Sequence, residues 1–355
     1  MAMQSVTLTQ LTSLLPVYWK LKLPVFFWGT AGSAKSSTVH RFVEQQDIGF
    51  IDLRLSQLDP VDVRGIPDID GDSATWRPFD CFPDEERDGK YGILLLDEFN
   101  SGPPTVQCSC YQLLFDRCIG NYKLPDGWVV WACGNRSEDN GVTFDVPAPN
   151  ANRFANHVHV DPTVDDFDRT DIREEVIGFL YFRPELLFSY SGDATDMAFG
   201  SMRTWTYLSK LYDAWEAEMG EVDRSKPSDL FRKTMQNAVG EGEGHEFVAF
   251  LNNYGKMPNL NDIISNPEEA PVPSEMSVMG AVVSGLIGHY DADYEIGGRI
   301  IRYALRLSAE FGAVLIRQCH KIDAKAFEKN PDLNREKITE NIHMLDFSKK
   351  FGNVL

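Results

Sequence analysis

An apolar run at residues 24–28 (Pro24-Val25-Phe26-Phe27-Trp28) breaks at once into Gly29-Thr30-Ala31-Gly32-Ser33-Ala34-Lys35-Ser36-Ser37, and an amphipathic stretch then runs to Gln46. No other feature constrains the fold of this chain as tightly. A short β-prone run, a Gly-bearing loop and a helix opening on Lys and Ser place a helix N-terminus at the C-terminal edge of a strand. Loop and first-turn N–H groups then converge on one spot, which suits an anion. Gly29, Lys35 and Ser36 meet the spacing G-x-x-x-x-G-K-[ST], with Ala34 where the second Gly belongs. In that pattern the backbone from Gly29 to Ser37 cradles phosphates, Lys35 reaches the outer ones and the Ser36 hydroxyl reaches Mg²⁺. The bland alternative is an ordinary strand-to-helix turn carrying an exposed Lys, and only the rest of the chain can decide.

A second strand is expected at 49–55, followed by a short helix opened near Asp59-Pro60 and ended by Gly65. Residues 66–78 alternate apolar positions around Asp70-Gly71 and predict a hairpin. Residues 84–92 are charged and turn-like. The strongest strand is 92–98, Gly92-Ile93-Leu94-Leu95-Leu96-Asp97-Glu98, an unbroken apolar run that delivers two acids at its C-terminal end. Asp97 there can orient Mg²⁺ and Glu98 can polarise an attacking water. A helix at 106–115 and a second hairpin-like element at 119–128 lead to a buried strand, 129–133. That strand presents Gly134-Asn135-Arg136, and Asn135 is the candidate to hold the water. A last strand is expected at 157–160.

From Asp165 onward helices are expected at 172–182, 201–218, 245–254, 275–290 and 296–322, with a Pro-rich linker at 267–273 and a charged tail after Lys329. At 355 residues the chain exceeds the usual size of one core. The reading is an α/β unit at 1–160, a helical unit at 161–266 and a helical extension at 267–355.

Composition narrows the function classes. The net charge of −19 opposes non-specific duplex binding, which needs surplus Lys and Arg. No apolar run approaches the ~20 residues of a membrane span, and no secretory signal pattern opens the chain. The six cysteines include no C-x-x-C pair, and His157 and His159 have no acid or Cys spaced to complete a metal site. Reduced thiols and a cytoplasmic location are the expectation.

The series of phosphate loop, strand ending in Asp97-Glu98, strand ending before Asn135, Asn152-Arg153-Phe154 and a helical region resembles the AAA+ ATPases, and within them the MoxR-like branch marked by an insert in helix 2. Position by position, Lys35 and Ser36 match Walker A, Asp97 and Glu98 Walker B, and Asn135 sensor 1. Arg153 matches the arginine finger that reaches a neighbouring subunit's nucleotide. Arg203, in Gly200-Ser201-Met202-Arg203-Thr204-Trp205, matches the sensor 2 Arg of the lid, with Met202 where Pro is usual. The 66–78 hairpin resembles the helix 2 insert, and that at 119–128 occupies the pre-sensor-1 position. The resemblance covers roughly 20–210. It implies an AAA+ α/β P-loop core with hairpin inserts and an all-α lid, an ATPase using ATP/ADP and Mg²⁺, and a homo-oligomeric, hexameric ring. It also implies a chaperone-like action on a protein partner, with von Willebrand factor A domain proteins as one partner class. Two alternatives stay open. One is a nucleotide-stabilised scaffold with little turnover, suggested by Ala34; the other is a DNA-acting AAA+ motor, which the acidity opposes.

Overall fold

In a computed structural model the described residues are 4–329, apart from 71–72, 78, 137–142, 147, 169, 193–196, 255–256 and 291–293. The expected charged tail after Lys329 and the Gly71 of the first hairpin turn lie outside them. The chain divides into two compact units: Met1–Asp166 with Tyr190–Asp196 and Ser201–Arg203, and Phe167–Ser189 with Met197–Gly200 and Thr204–Leu355.

The strands of the first unit are β1 (Ser5–Val6), β2 (Val25–Trp28), β3 (Gly49–Arg54), β4 (Ile66–Asp70), β5 (Ser73–Arg77), β6 (Gly92–Asp97), β7 (Cys118–Ile119), β8 (Tyr122–Lys123), β9 (Trp128–Gly134) and β10 (Asn156–Val160). Its helices are α1 (Leu8–Lys20), α2 (Lys35–Gln46), α3 (Pro60–Arg64), α4 (Glu85–Asp88), α5 (Pro104–Asp116) and α6 (Ala148–Ala151). Six strands form one all-parallel sheet in the order β1-β10-β2-β9-β6-β3. β4–β5 and β7–β8 are separate antiparallel hairpins, at the two places where turn chemistry predicted them.

A parallel sheet covered on both faces needs apolar residues at every position of its central strands. Hence Ile93 to Leu96 and Trp128 to Cys133 are all buried. Phe26, Leu94, Leu96, Val130 and Ala132 join Val106, Cys110 and Leu113 of α5 in one cluster. On the alternate positions Phe27 meets Trp131 edge-on, and Trp131 packs beside Phe42 of α2, which meets Trp19 of α1. The six cysteines are free; burial pushes the Cys110 thiol up to about 12 and also raises that of Cys133, so both are inert packing groups.

α1 runs through Pro16 to Lys20, because Leu11, Leu15 and Tyr18 are buried along one face and offset the missing N–H bond. Two local expectations differ from the structure. Residues 84–92 contain a helical turn, α4, whose N-cap Asp84 accepts from the Glu86 and Arg87 amides. The expected long helix 296–322 is two helices.

The second unit carries α7 (Glu174–Phe182), most of α8 (Met202–Met219), α9 (Asp229–Val239), α10 (Glu241–Tyr254), α11 (Leu260–Ser265), α12 (Met276–His289), α13 (Tyr294–Ala304) and α14 (Ala309–Lys329). Phe179, Trp205, Phe247 and Phe250 form an aromatic cluster, and α11 to α14 share a second core around Val282, Leu286, Ile300 and Leu315. The same unit holds a charged knot. Arg173 stacks 3.9 Å over Tyr212 and pairs with Glu175, Asp213 and Glu216, while Arg224 also donates to Glu175 at 2.7 Å. Among the described residues no helix is long and apolar enough to cross a membrane.

Candidate functional site

The C-terminal ends of β2, β6 and β9 meet at a cleft of about 440 Å³. Ala31 to Ser37, Asp97, Glu98, Asn135 and Arg203 line it, so the structure brings these sequence-predicted residues to one place. Gly29 and Thr30 form the approach of the loop just behind that lining. Arg153 lies elsewhere: it is exposed, with its guanidinium 5.5 Å over the Tyr111 ring.

The loop is built from short-range bonds. The Gly29 amide donates to the Gly134 carbonyl at 3.2 Å, tying the loop's start to the end of β9, and the Ser33 amide closes on the Thr30 carbonyl. A side chain at Gly29 would put its Cβ 2.6 Å from the Val160 carbonyl oxygen, so only glycine passes there. Lys35 is buried, and its Nζ donates to the Gly29 and Thr30 carbonyls at 2.7 and 2.9 Å and to Ser33 Oγ at 3.1 Å. Ala34 is the N-cap of α2 with φ 60° and ψ 21°, the left-handed region, and makes no side-chain cap bond. The first-turn amides of α2 thus face the cleft uncapped by any side chain, carrying the positive end of the helix dipole.

Across the cleft the chemistry is acidic. Ser36 Oγ donates to Asp97 Oδ2 at 2.8 Å, bringing the two oxygens singled out as Mg²⁺ ligands together. Glu98 is left-handed (φ 51°), its amide bonded to Asp97 Oδ1 at 2.9 Å, and its carboxylate accepts from the Ser56 hydroxyl. Asp52 of β3 lines the same wall. Burial first, then the Asp97 charge, raise its carboxyl above the usual range, against the lowering effect of Arg54.

Sequence reasoning missed several residues that shape this site. Asn100 is buried and grips Asn135 at both backbone groups: its Nδ2 donates to the Asn135 carbonyl at 2.7 Å and its Oδ1 accepts from the Asn135 amide at 3.1 Å. It lies two residues beyond Glu98, so one side chain ties the ends of β6 and β9 together. Ser56, Asp52 and Arg136 were also missed; no spacing rule links them to the loop.

No protein-family model matches the chain, and no curated protein sequence does. Solved structures do. A proposed ATPase from Cytophaga hutchinsonii is 14% identical over 90% of this chain and 81% of its own, with a TM-score of 0.34. The RuvB Holliday junction branch migration motor of Thermotoga maritima is 15% identical over 79% and 80%, TM-score 0.39. NtrX from Brucella abortus, solved with ADP, is 14% identical over 91% and 69%, TM-score 0.41. The core is a P-loop type of α/β core, as the all-parallel sheet and the loop leading into α2 show in their own right.

Proposed function

We propose that this chain is a Mg²⁺-dependent ATPase of the MoxR type, working in the cytoplasm as a homo-oligomeric, hexameric ring that remodels or helps assemble a protein partner. The observation that carries the hydrolytic reading is the Ser36–Asp97 contact at 2.8 Å, set at the mouth of a phosphate loop and beside Glu98.

The donor set fits a hard divalent cation: a hydroxyl and a carboxylate oxygen already adjacent, with Asp52 and Glu98 concentrating negative charge around them. Ser36 and Asp97 would hold Mg²⁺, which when bound would offset the negative charge of the phosphate oxygens. Loop amides and the α2 N-terminus hold the phosphates. Lys35 trades its carbonyl partners for outer phosphate oxygens, and Arg203 adds charge from the rim. Asn135 orients the attacking water and Glu98 takes its proton as the oxygen bonds to the γ-phosphorus and ADP leaves. The protein partner, a von Willebrand factor A domain protein among the classes considered, and Arg153 acting from a neighbouring copy belong to the same proposal.

One observation favours a second reading. Ala34 holds a strained conformation in the middle of the phosphate loop, which suits a chain that binds nucleotide as an assembly staple and turns it over slowly. The test is ATP binding and hydrolysis at protein concentrations where the oligomer forms. Expected are nucleotide binding that Lys35→Ala removes and turnover that Glu98→Gln abolishes while binding persists. Wild-type protein that binds neither ATP nor ADP overturns the nucleotide reading; binding without turnover leaves the scaffold. DNA-stimulated hydrolysis would instead point to a motor on nucleic acid.

A further inference from the structure

Arg136, the residue after Asn135, has no part in the chemistry above, yet the structure gives it a specific position. It leaves the end of β9, and its Nη2 donates to Thr30 Oγ1 at 3.0 Å while its Nη1 donates to Asp161 Oδ1 at 2.7 Å. Asp161 lies just past β10, and its own amide donates to the Val6 carbonyl at 2.9 Å, so the sheet fixes its place. In the sheet β2 lies between β9 and β10. The Arg136 side chain therefore spans the end of β2, where the phosphate loop emerges, and is held on both sides of it. It is largely buried, with 16% of its side chain exposed, and its charge is balanced by Asp161.

What it grips matters more than that it is gripped. The Thr30 hydroxyl is held from outside the loop by Arg136, and the Thr30 carbonyl is held from inside by the Ser33 amide and Lys35 Nζ. Fixing Thr30 thus fixes the carbonyl on which the Lys35 ammonium rests. Arg136 is not among the residues that line the cleft, so it acts on the nucleotide indirectly, and Thr30 is its hold on the loop.

We propose that Arg136 is a positioning residue for nucleotide binding: a two-armed strap that pre-orders the first half of the phosphate loop by clamping Thr30 to Asp161. The proposal rests on the nucleotide reading of the cleft. Loop order that is present before binding need not be acquired at the expense of affinity. The strap works by geometry, since its charge is already neutralised, and a planar fork that donates in two directions is what an Arg supplies and a Lys does not.

The test is a thermodynamic cycle on ADP affinity, measured by calorimetry in Mg²⁺ buffer, alongside kcat and KM for ATP. Arg136→Gln is expected to weaken ADP about tenfold, the order expected for a charged hydrogen bond, and to raise KM with kcat changed less than about threefold. Thr30→Val should weaken ADP similarly, and the double variant should bind no worse than either single one. Arg136→Lys should restore little. If Arg136→Gln does not fold, the cycle between Thr30→Val and Asp161→Asn reads the same strap from its two ends. Effects that multiply in the double variant, or full rescue by Arg136→Lys, overturn the strap. Wild-type protein that binds neither ADP nor ATP overturns the reading of the cleft and the strap with it, whereas binding with independent effects overturns the strap alone.

Discussion

The substitution Ala34→Gly tests the conformation of the phosphate loop most directly. Ala34 has φ 60° and ψ 21°, a left-handed backbone that costs an L-residue roughly 1–2 kcal/mol through the crowding of its Cβ. Glycine removes that crowding, but it enlarges the conformational freedom of the unfolded chain by about 0.4–1 kcal/mol. The difference is centred on about 0.8 kcal/mol in favour of the variant, which for a unit of this size raises the midpoint of thermal unfolding by roughly 2–3 °C. Ala34→Val is the opposing control: a β-branched side chain in the same backbone is more crowded, so its midpoint should fall. The transition to follow is the one that ADP raises, since only the nucleotide-binding unit gains from the ligand. An Ala34→Gly protein that melts below wild type, with Ala34→Val unchanged, would refute the left-handed conformation. Turnover in the same proteins separates the two functional readings. A faster Ala34→Gly enzyme makes Ala34 a brake. Unchanged affinity and rate leave the scaffold reading without its motive.

Two further perturbations test other parts of the molecule. Asn100→Ala leaves the Asn135 amide and carbonyl without their partner, which costs about 1–3 kcal/mol of stability, and it should lower kcat more than ADP affinity, measured by thermal unfolding and steady-state hydrolysis. In the helical unit burial pushes the Glu175 carboxyl up, but hydrogen bonds and charge from Arg173, with the charge of Arg224, outweigh it and hold the group below its usual value of 4.5. A carboxyl depressed in the folded state contributes stability that is present above 4.5 and lost as the pH falls through the folded value. Denaturant titrations of wild type against Glu175→Gln should therefore show the wild-type advantage of about 1–3 kcal/mol at neutral pH shrinking on the acid side; a constant difference would refute the assignment.

Much of the first unit was legible because a parallel sheet covered on both faces demands unbroken apolar strands. Residues 92–97 and 129–133 have no other use for so many adjacent large side chains. The cleft was legible where a local pattern carries the geometry, as at Lys35, Ser36 and Asp97. It was not legible where distant backbone is involved. Arg136 meets Thr30 across 106 positions and Asp161 across 25, and only the order of the strands makes those neighbours. β1 is two residues long and exists by its register with β10, so its composition says little. α9 was missed although its signals are present: Ser228 caps it, and Phe231, Met235 and Val239 recur at four-residue spacing on its buried face. Between α13 and α14 no Gly or Pro marks the break. The chain turns there through tight bonds from Arg306 to Tyr303 and from Leu307 to Ala304, which packing imposes.

Arg153 is where assembly enters the chemistry. It is exposed, rests over Tyr111 and is not among the residues lining its own chain's cleft. A cation that stabilises phosphoryl transfer has to reach the transferring group, so under the ring proposal Arg153 serves the cleft of a neighbouring copy. Glu98, in contrast, lines the cleft of its own chain. The two residues of one working site then come from different chains, and complementation reads that directly. Arg153→Ala alone should bind ADP normally and lose about 10³-fold or more in kcat, and Glu98→Gln alone should be inactive. An equal mixture, assembled together, pairs an intact Glu98 with an intact Arg153 at about a quarter of its head-to-tail interfaces, so about a quarter of the wild-type rate should return. Recovery should require co-assembly and vanish on dilution below the concentration at which the oligomer forms. If Arg153 serves its own chain, every subunit in the mixture lacks one of the two groups, and the mixture stays as inactive as its components.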